Sequence, residues 1–181
     1  MLFRSELSPL NPPSPLGGEG KGEGKTNYFI LFLAAGFGAG YAPIAPGTAG
    51  TLVAIPIFLV LSSIPFPLYE LTILTFFFFA SWISGEAQRS WGRKDHPRIV
   101  IDEIMGFLIT MLWLPKTILF IILGFLLFRV FDIVKPPPIR ILERVRGGYG
   151  VVLDDVLAGV YSNIILQIIS YFTLSPGRGV G

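Results

Sequence analysis

Hydrophobic and polar positions alternate in blocks along this chain and not residue by residue. From Tyr28 onward the apolar runs are YFILFLAAG (28–36), AGTLVAIPIFLVLSSI (49–64), LYELTILTFFFFASWIS (68–84), IVIDEIMGFLITMLWL (99–114), TILFIILGFLLFRVF (117–131) and VVLDDVLAGVYSNIILQIISYFTL (151–174). None keeps a period of two, which excludes a membrane barrel, and no internal repeat is evident. The pattern predicts an all-α, polytopic helical integral membrane protein: about five transmembrane helices after a short N-terminal segment, 28–36, that is interfacial or re-entrant. Most runs fall short of the roughly 20 residues that span a bilayer, so some must borrow flanking polar residues.

The first 27 residues differ in character, being rich in Pro and Gly and lacking the apolar stretch of a signal peptide. The expected layout is a disordered low-complexity tail (1–27), one helical membrane domain (28–174) and a flexible C-terminal tail (175–181). The tail reads like translated upstream DNA with the native start nearer Tyr28, which N-terminal sequencing would check. Composition agrees with a membrane protein: 52% of the 181 residues are hydrophobic and only 14% charged. A net charge of +2, with no basic stretch interleaved with aromatics, argues against nucleic acid as a partner. With no cysteine and His96 as the lone histidine, thiolate chemistry and histidine metal clusters are excluded.

Orientation follows from the loops. GEAQRSWGRKDHPR (85–98) and DIVKPPPIRILERVRGGYG (132–150) hold most of the Lys and Arg, whereas IPFP (64–67) and LPKT (114–117) hold a single Lys. The rich loops are therefore expected at the cytoplasmic face. If the helices alternate in direction, the glycine-rich segment GFGAGYAPIAPGT (36–48) emerges on that same face.

This scheme converges five carboxylates at one depth: Asp102 and Glu103 open one helix, Asp132 ends the next, and Asp154 and Asp155 open the last. Singly, each acid could merely complement a helix dipole or stay solvated. Together their repulsion calls for a bound cation, and hard oxygen ligands point to Mg2+, with Mn2+ as a stand-in. Arg129, Lys135 and Arg140 bracket Asp132, where three prolines stop the helix; they suit a phosphate dianion, although topology marking explains Lys135 in part and Arg144 and Arg146 better. The glycine segment lacks both Walker and dinucleotide spacing. It reads as a tight loop in which Gly47 leads to Thr48, an N-cap whose neighbouring N–H groups would hold an anion, while Gly36 and Gly38 equally suit close helix packing.

GFGAGYAPIAPGTAGT, IVIDEIMGF, FRVFDIVKPPPI and GGYGVVLDDVLAGVYSN, in this order across about residues 30–170, resemble the phosphatidylglycerophosphatase A family. The resemblance implies a magnesium-dependent, all-helical enzyme of the bacterial inner membrane that removes the terminal phosphate of phosphatidylglycerophosphate, with its active site facing the cytoplasm. It also implies that Asp102, Glu103, Asp132, Asp154 and Asp155 carry the metal and the chemistry, and Asp95 and His96 in KDHPRIV fit the family's pattern. The expected metal ligands are Asp102, Glu103, Asp154 and Asp155; the expected catalytic groups are Asp132, Asp154, Asp155 and Lys135. Arg129, Lys135, Thr48, Gly47 and His96 are expected to bind substrate, with His96 as a candidate acid for the leaving oxygen.

Other classes fare less well. A histidine-nucleophile phosphatase needs more than one histidine, no D-x-D-x-[TV] string is present, and DDVLAGV has Gly159 where a CDP-alcohol phosphotransferase carries Arg. An ion carrier with intramembrane carboxylates is the non-enzyme alternative, but its acids would lie near the midplane and not at one face. Nothing in the residues themselves separates phosphatidylglycerophosphate from phosphatidate or a soluble ester, and the oligomeric state stays open.

Overall fold

The computed structural model describes residues 27–142, 145 and 147–174. The expectations for the N-terminal tail up to residue 26, for Arg144 and Arg146, and for 175–181 lie outside the described residues. Among those described, regular structure is wholly helical: α1 (Tyr28–Ala34), a 3-10 turn (Ala39–Tyr41), α2 (Pro46–Leu61), α3 (Phe66–Trp91), α4 (Ile101–Thr110), α5 (Ile118–Val134), α6 (Ile139–Leu142) and α7 (Gly148–Leu174). Each apolar run thus becomes a helix, with ends set by local chemistry. Asn27 caps α1 by accepting from the Phe29 N–H at 3.1 Å. At α5, the Thr117 side chain caps the start, and Lys135, in a left-handed conformation ahead of the three prolines, ends it.

Two ends differ from expectation. The segment GEAQRSW continues α3 as helix, since it holds good helix formers and an ion pair one turn apart, Glu86–Arg89; left-handed Gly92 stops it. In the opposite sense, α4 is only 10 residues long, about 15 Å, half a bilayer's hydrocarbon core. Its C-terminal carbonyls are taken by α7: Asn163 Nδ2 donates to Thr110 O (2.9 Å) and Leu112 O (2.7 Å), and Gln167 Nε2 to Leu112 O (3.1 Å). With these orphan acceptors satisfied, the chain turns away at Met111.

The helix α4 is the centre of the fold. Eight of its residues are buried, against α7, α2 and α3, and its crossing with α7 is close because Gly106 and Gly159 face each other's backbones: a Cβ on Gly106 would meet the Phe128 ring and Asp155 O, and one on Gly159 would strike Gly106 O. Among the described residues two helices, α3 and α7 (through Thr173), are long and apolar enough to cross a membrane. Outward faces are apolar too, at helical spacing: Leu71, Leu74, Phe78 and Trp82 on α3; Ile122, Leu126 and Val130 on α5; Ile164 and Ile168 on α7. At one end Lys116 Nζ bonds Ser62 O and Trp113 Nε1 donates to Glu70 at 3.0 Å, joining the two loops poor in basic residues. The other end gathers the glycine segment, the turn after α3 and the corner after α5.

Candidate active site

At that second end a polar cavity of about 260 Å³ is lined by α2, α4, α5, α7 and the turn at 95–99. The first turn of α4 supplies Asp102 and Glu103, the last turn of α5 supplies Asp132 one turn after Arg129, and α7 supplies Asp154 and Asp155. Asp102, Asp154 and Asp155 are buried to 5%, 6% and 4% exposure. The five acids expected to converge do line one cavity, because the Gly106–Gly159 crossing brings the start of α4 alongside the start of α7.

Charges inside the cavity are arranged in two ways. Arg129 Nη1 lies 2.6 Å from Asp132 Oδ2 as an ion pair without hydrogen-bond alignment, and its Nε has no partner. Lys135 Nζ donates to Asp154 Oδ2 at 2.7 Å, so Asp154 is turned toward Lys135. By contrast, Asp102, Glu103 and Asp155 each place one ligand oxygen within 4.8 Å of the others. Such a grouping of acids in a region of low dielectric is repulsive unless a cation joins it. Glu103 Oε2 and Asp154 Oδ1 are moreover buried without any hydrogen-bond partner. A donor set of carboxylate oxygens with orphaned acceptors fits a hard divalent cation.

Backbone contacts build the remaining wall. A Cβ on Gly47 would land on Glu103 Oε1 and close to Arg129 Nη1, so the absence of a side chain lets the start of α2 seat the Glu103 carboxylate. The proline corner that carries Lys135 is held by α7, whose Tyr161 hydroxyl donates to Pro137 O at 3.2 Å.

Two expected site residues are placed elsewhere. Thr48 is not the N-cap of α2: the helix starts at Pro46 after left-handed Ala45, leaving Thr48 in the first turn and outside the cavity lining. The reason is proline's fixed φ, which suits the first helical position. His96 also does not line the cavity; its ring stacks on Trp91 with centroids 4.6 Å apart, and its Nδ1 accepts from the Arg98 N–H at 3.2 Å. Partial burial, then the nearby Arg98 and Arg93, lower its pKa from the usual histidine value. Asp95, adjacent in KDHPR, does line the cavity with Pro97, a position signalled by motif context and not by periodicity.

Residues 32–170 match the phosphatidylglycerophosphatase A family. The chain is 39% identical over 152 residues to a Bacteroides thetaiotaomicron protein named "Putative phosphatidylinositol-3-phosphatase", covering 80% of this chain and 95% of that protein. It is 40% identical over 141 residues to "Phosphatidylglycerophosphatase A" of Escherichia coli K12, covering 77% and 82%. The Haemophilus influenzae protein of the same name is 35% identical over 151 residues, covering 80% and 91%. No solved structure matches the chain.

Proposed function

The chain belongs to the phosphatidylglycerophosphatase A family and is a phosphatase, and on that premise we propose that it hydrolyses the terminal phosphomonoester of phosphatidylglycerophosphate, with Mg2+, at the cytoplasmic face of a bacterial inner membrane. The observation that carries this reading is the closure of Asp102, Glu103 and Asp155 within 4.8 Å in a cavity that also holds two cationic side chains. Acids alone would repel a phosphate; acids with a bound cation, Arg129 and Lys135 attract one. The apolar outward faces of α3, α5 and α7 support placement in a bilayer, and the basic residues at the cavity end support its cytoplasmic orientation.

Asp102, Glu103 and Asp155 would hold the cation, which supplies Lewis-acid polarisation of a phosphoryl oxygen when bound. The chain's own groups do the rest. Asp132, held by Arg129, accepts a proton from the attacking water as its oxygen bonds to phosphorus. The bond from phosphorus to the glycerol oxygen breaks, and that oxygen leaves with a proton from solvent as an alcohol, the phosphate departing as the second product. Lys135 and Arg129 offset the charge that builds on the phosphoryl oxygens, and Gly47 keeps Glu103 seated. Thr48 and His96 have no step, being outside the cavity lining.

The test is phosphate release by purified protein in detergent from phosphatidylglycerophosphate, phosphatidate, phosphatidylinositol 3-phosphate and a soluble ester, with and without Mg2+. Mg2+-dependent release chiefly from phosphatidylglycerophosphate is the expected result. Preference for the inositol lipid, or unchanged release with Asp→Asn at each of 102, 132, 154 and 155, would overturn it.

A further inference from the structure

Beside the acidic cavity, the C-terminal half of α3 and the start of α7 enclose a larger cleft of about 490 Å³ with the opposite charge. Arg89, Arg93 and Lys94 line it, Arg89 already joined to Glu86 one turn back. Ser81 and Gln88 line it as well, and two of their buried polar atoms, Ser81 Oγ and Gln88 Nε2, have no hydrogen-bond partner. Ser81 is only 2% exposed, so bulk water does not satisfy its hydroxyl. A Cβ on Gly148 would strike Ser81 O, and the close approach of α7 that forms one wall depends on its absence. The cleft is therefore a concavity of cations and unmet donors, which is the chemistry that receives an anion bearing only acceptors.

Its position relative to the acids is specific. A small pocket of about 20 Å³ lies against both, lined by Lys94, Asp95, Gly150, Val151 and Asp154, sharing Lys94 with the basic cleft and Asp95, Val151 and Asp154 with the acidic cavity. Along α3 the exposed side chains grade from Phe78 and Trp82 to Arg89, with Arg93 following in the turn beyond its end, and Trp82 and Arg89 are about 10 Å apart along the axis. That is the sequence of a phospholipid from acyl chain to interface to phosphate, with Trp82 and Tyr149 as the amphipathic rings at the border.

We infer that the basic cleft binds the phosphodiester of the same lipid whose terminal monoester occupies the acidic cavity, so that the enzyme selects lipids carrying both phosphates. The inference rests on the reading of the acidic cavity as a lipid phosphomonoesterase site. Phosphatidate, with one phosphate, can fill only one of the two clefts. Free phosphate and the diester of a neighbouring anionic lipid share the required chemistry, and the experiment separates them.

Full-length wild type and Arg93→Gln are compared in neutral detergent micelles, Arg93 being an exposed turn residue whose replacement leaves the core intact. The expected result is a rise of about tenfold in KM for phosphatidylglycerophosphate with kcat within about twofold, an unchanged inhibition constant for inorganic phosphate, and recovery in Arg93→Lys. Gln88→Leu is expected to raise KM in the same direction. An unchanged KM overturns the inference; a parallel rise in the inhibition constant assigns the cleft to free phosphate instead; a KM effect seen only with added phosphatidylglycerol assigns it to a neighbouring lipid. Wild-type protein that releases no phosphate from phosphatidylglycerophosphate in Mg2+ overturns the underlying reading, and the inference with it.

Discussion

Asp155 meets two demands at once: it shares a cluster of oxygens with Asp102 and Glu103, and its own backbone carbonyl is the surface against which Gly106 packs. Asp155→Asn keeps the shape and removes the charge, so it should weaken divalent binding by about 10- to 100-fold, read by calorimetric titration with Mn2+. Unaltered affinity would remove Asp155 from the ligand set. Lys135→Met should lower kcat for phosphate release by about 10²–10³. Because Lys135 also neutralises Asp154, Lys135→Met with Asp154→Asn should fold at least as well as Lys135→Met alone. His96 offers a pH signature of another kind. Its pKa is lowered in the folded state, so unfolded chains bind more protons in the range below about 6.5. Its contribution to stability is complete above that pH and is lost as pH falls through the folded value, as protonation of Nδ1 also removes the acceptor for the Arg98 N–H. Protection of the Arg98 amide, its exchange rate taken against the intrinsic rate at each pH, should fall on acidification in wild type and already be low at neutral pH in His96→Phe; equal profiles would sink the idea.

At the scale of elements, the short length of α4 is the feature that apolar patterning could not show. IVIDEIMGFLITMLWL reads as one helix to Leu114, but two amides on α7, some fifty residues away in sequence, end it at Thr110. Asn163 and Gln167 were visible as polar positions in an oily run, yet only the fold reveals which carbonyls they meet. Asn163→Leu leaves the carbonyl of buried Thr110 without its amide partner, Leu112 O keeping Gln167, and should destabilise the protein by roughly 1–3 kcal/mol in a denaturation series. A change under about 0.5 kcal/mol would show that water replaces the amide. The acids in the first turn of α4 were legible, whereas α7 begins at Gly148, so Asp154 and Asp155 lie beyond its first turn and do not open it as expected, although they reach the same cavity. Thr48 was misread because a hydroxyl before an apolar run resembles an N-cap, although Pro46 already marked the first helical position. The extension of α3 to Trp91 was missed for a related reason: charged residues after an apolar run look like a loop until the Glu86–Arg89 pair and Gly92 are weighed together.

For the whole molecule, a cation held by the acid cluster as proposed would link binding to folding. A divalent ion at about 100 times its dissociation constant should stabilise the folded state by roughly 2.7 kcal/mol, so a chelator should lower the melting temperature, and Asp155→Asn, binding about 10- to 100-fold more weakly, should shrink that stabilisation to roughly 0.4–1.4 kcal/mol. The cavity's location has a different outcome. Asp102, Glu103, Asp132, Asp154 and Asp155 all open at the end of the molecule away from Lys116, Ser62 and Trp113, and α4 stops about halfway across, with its last carbonyls sealed by α7. With the bundle placed in the bilayer as proposed, the acidic cavity opens toward one leaflet. In closed vesicles with the protein inserted in a single direction, phosphate release should plateau near half of the lipid substrate and resume only when detergent or a scramblase lets the second leaflet exchange, which makes the bundle a reporter of lipid sidedness as well as its catalyst.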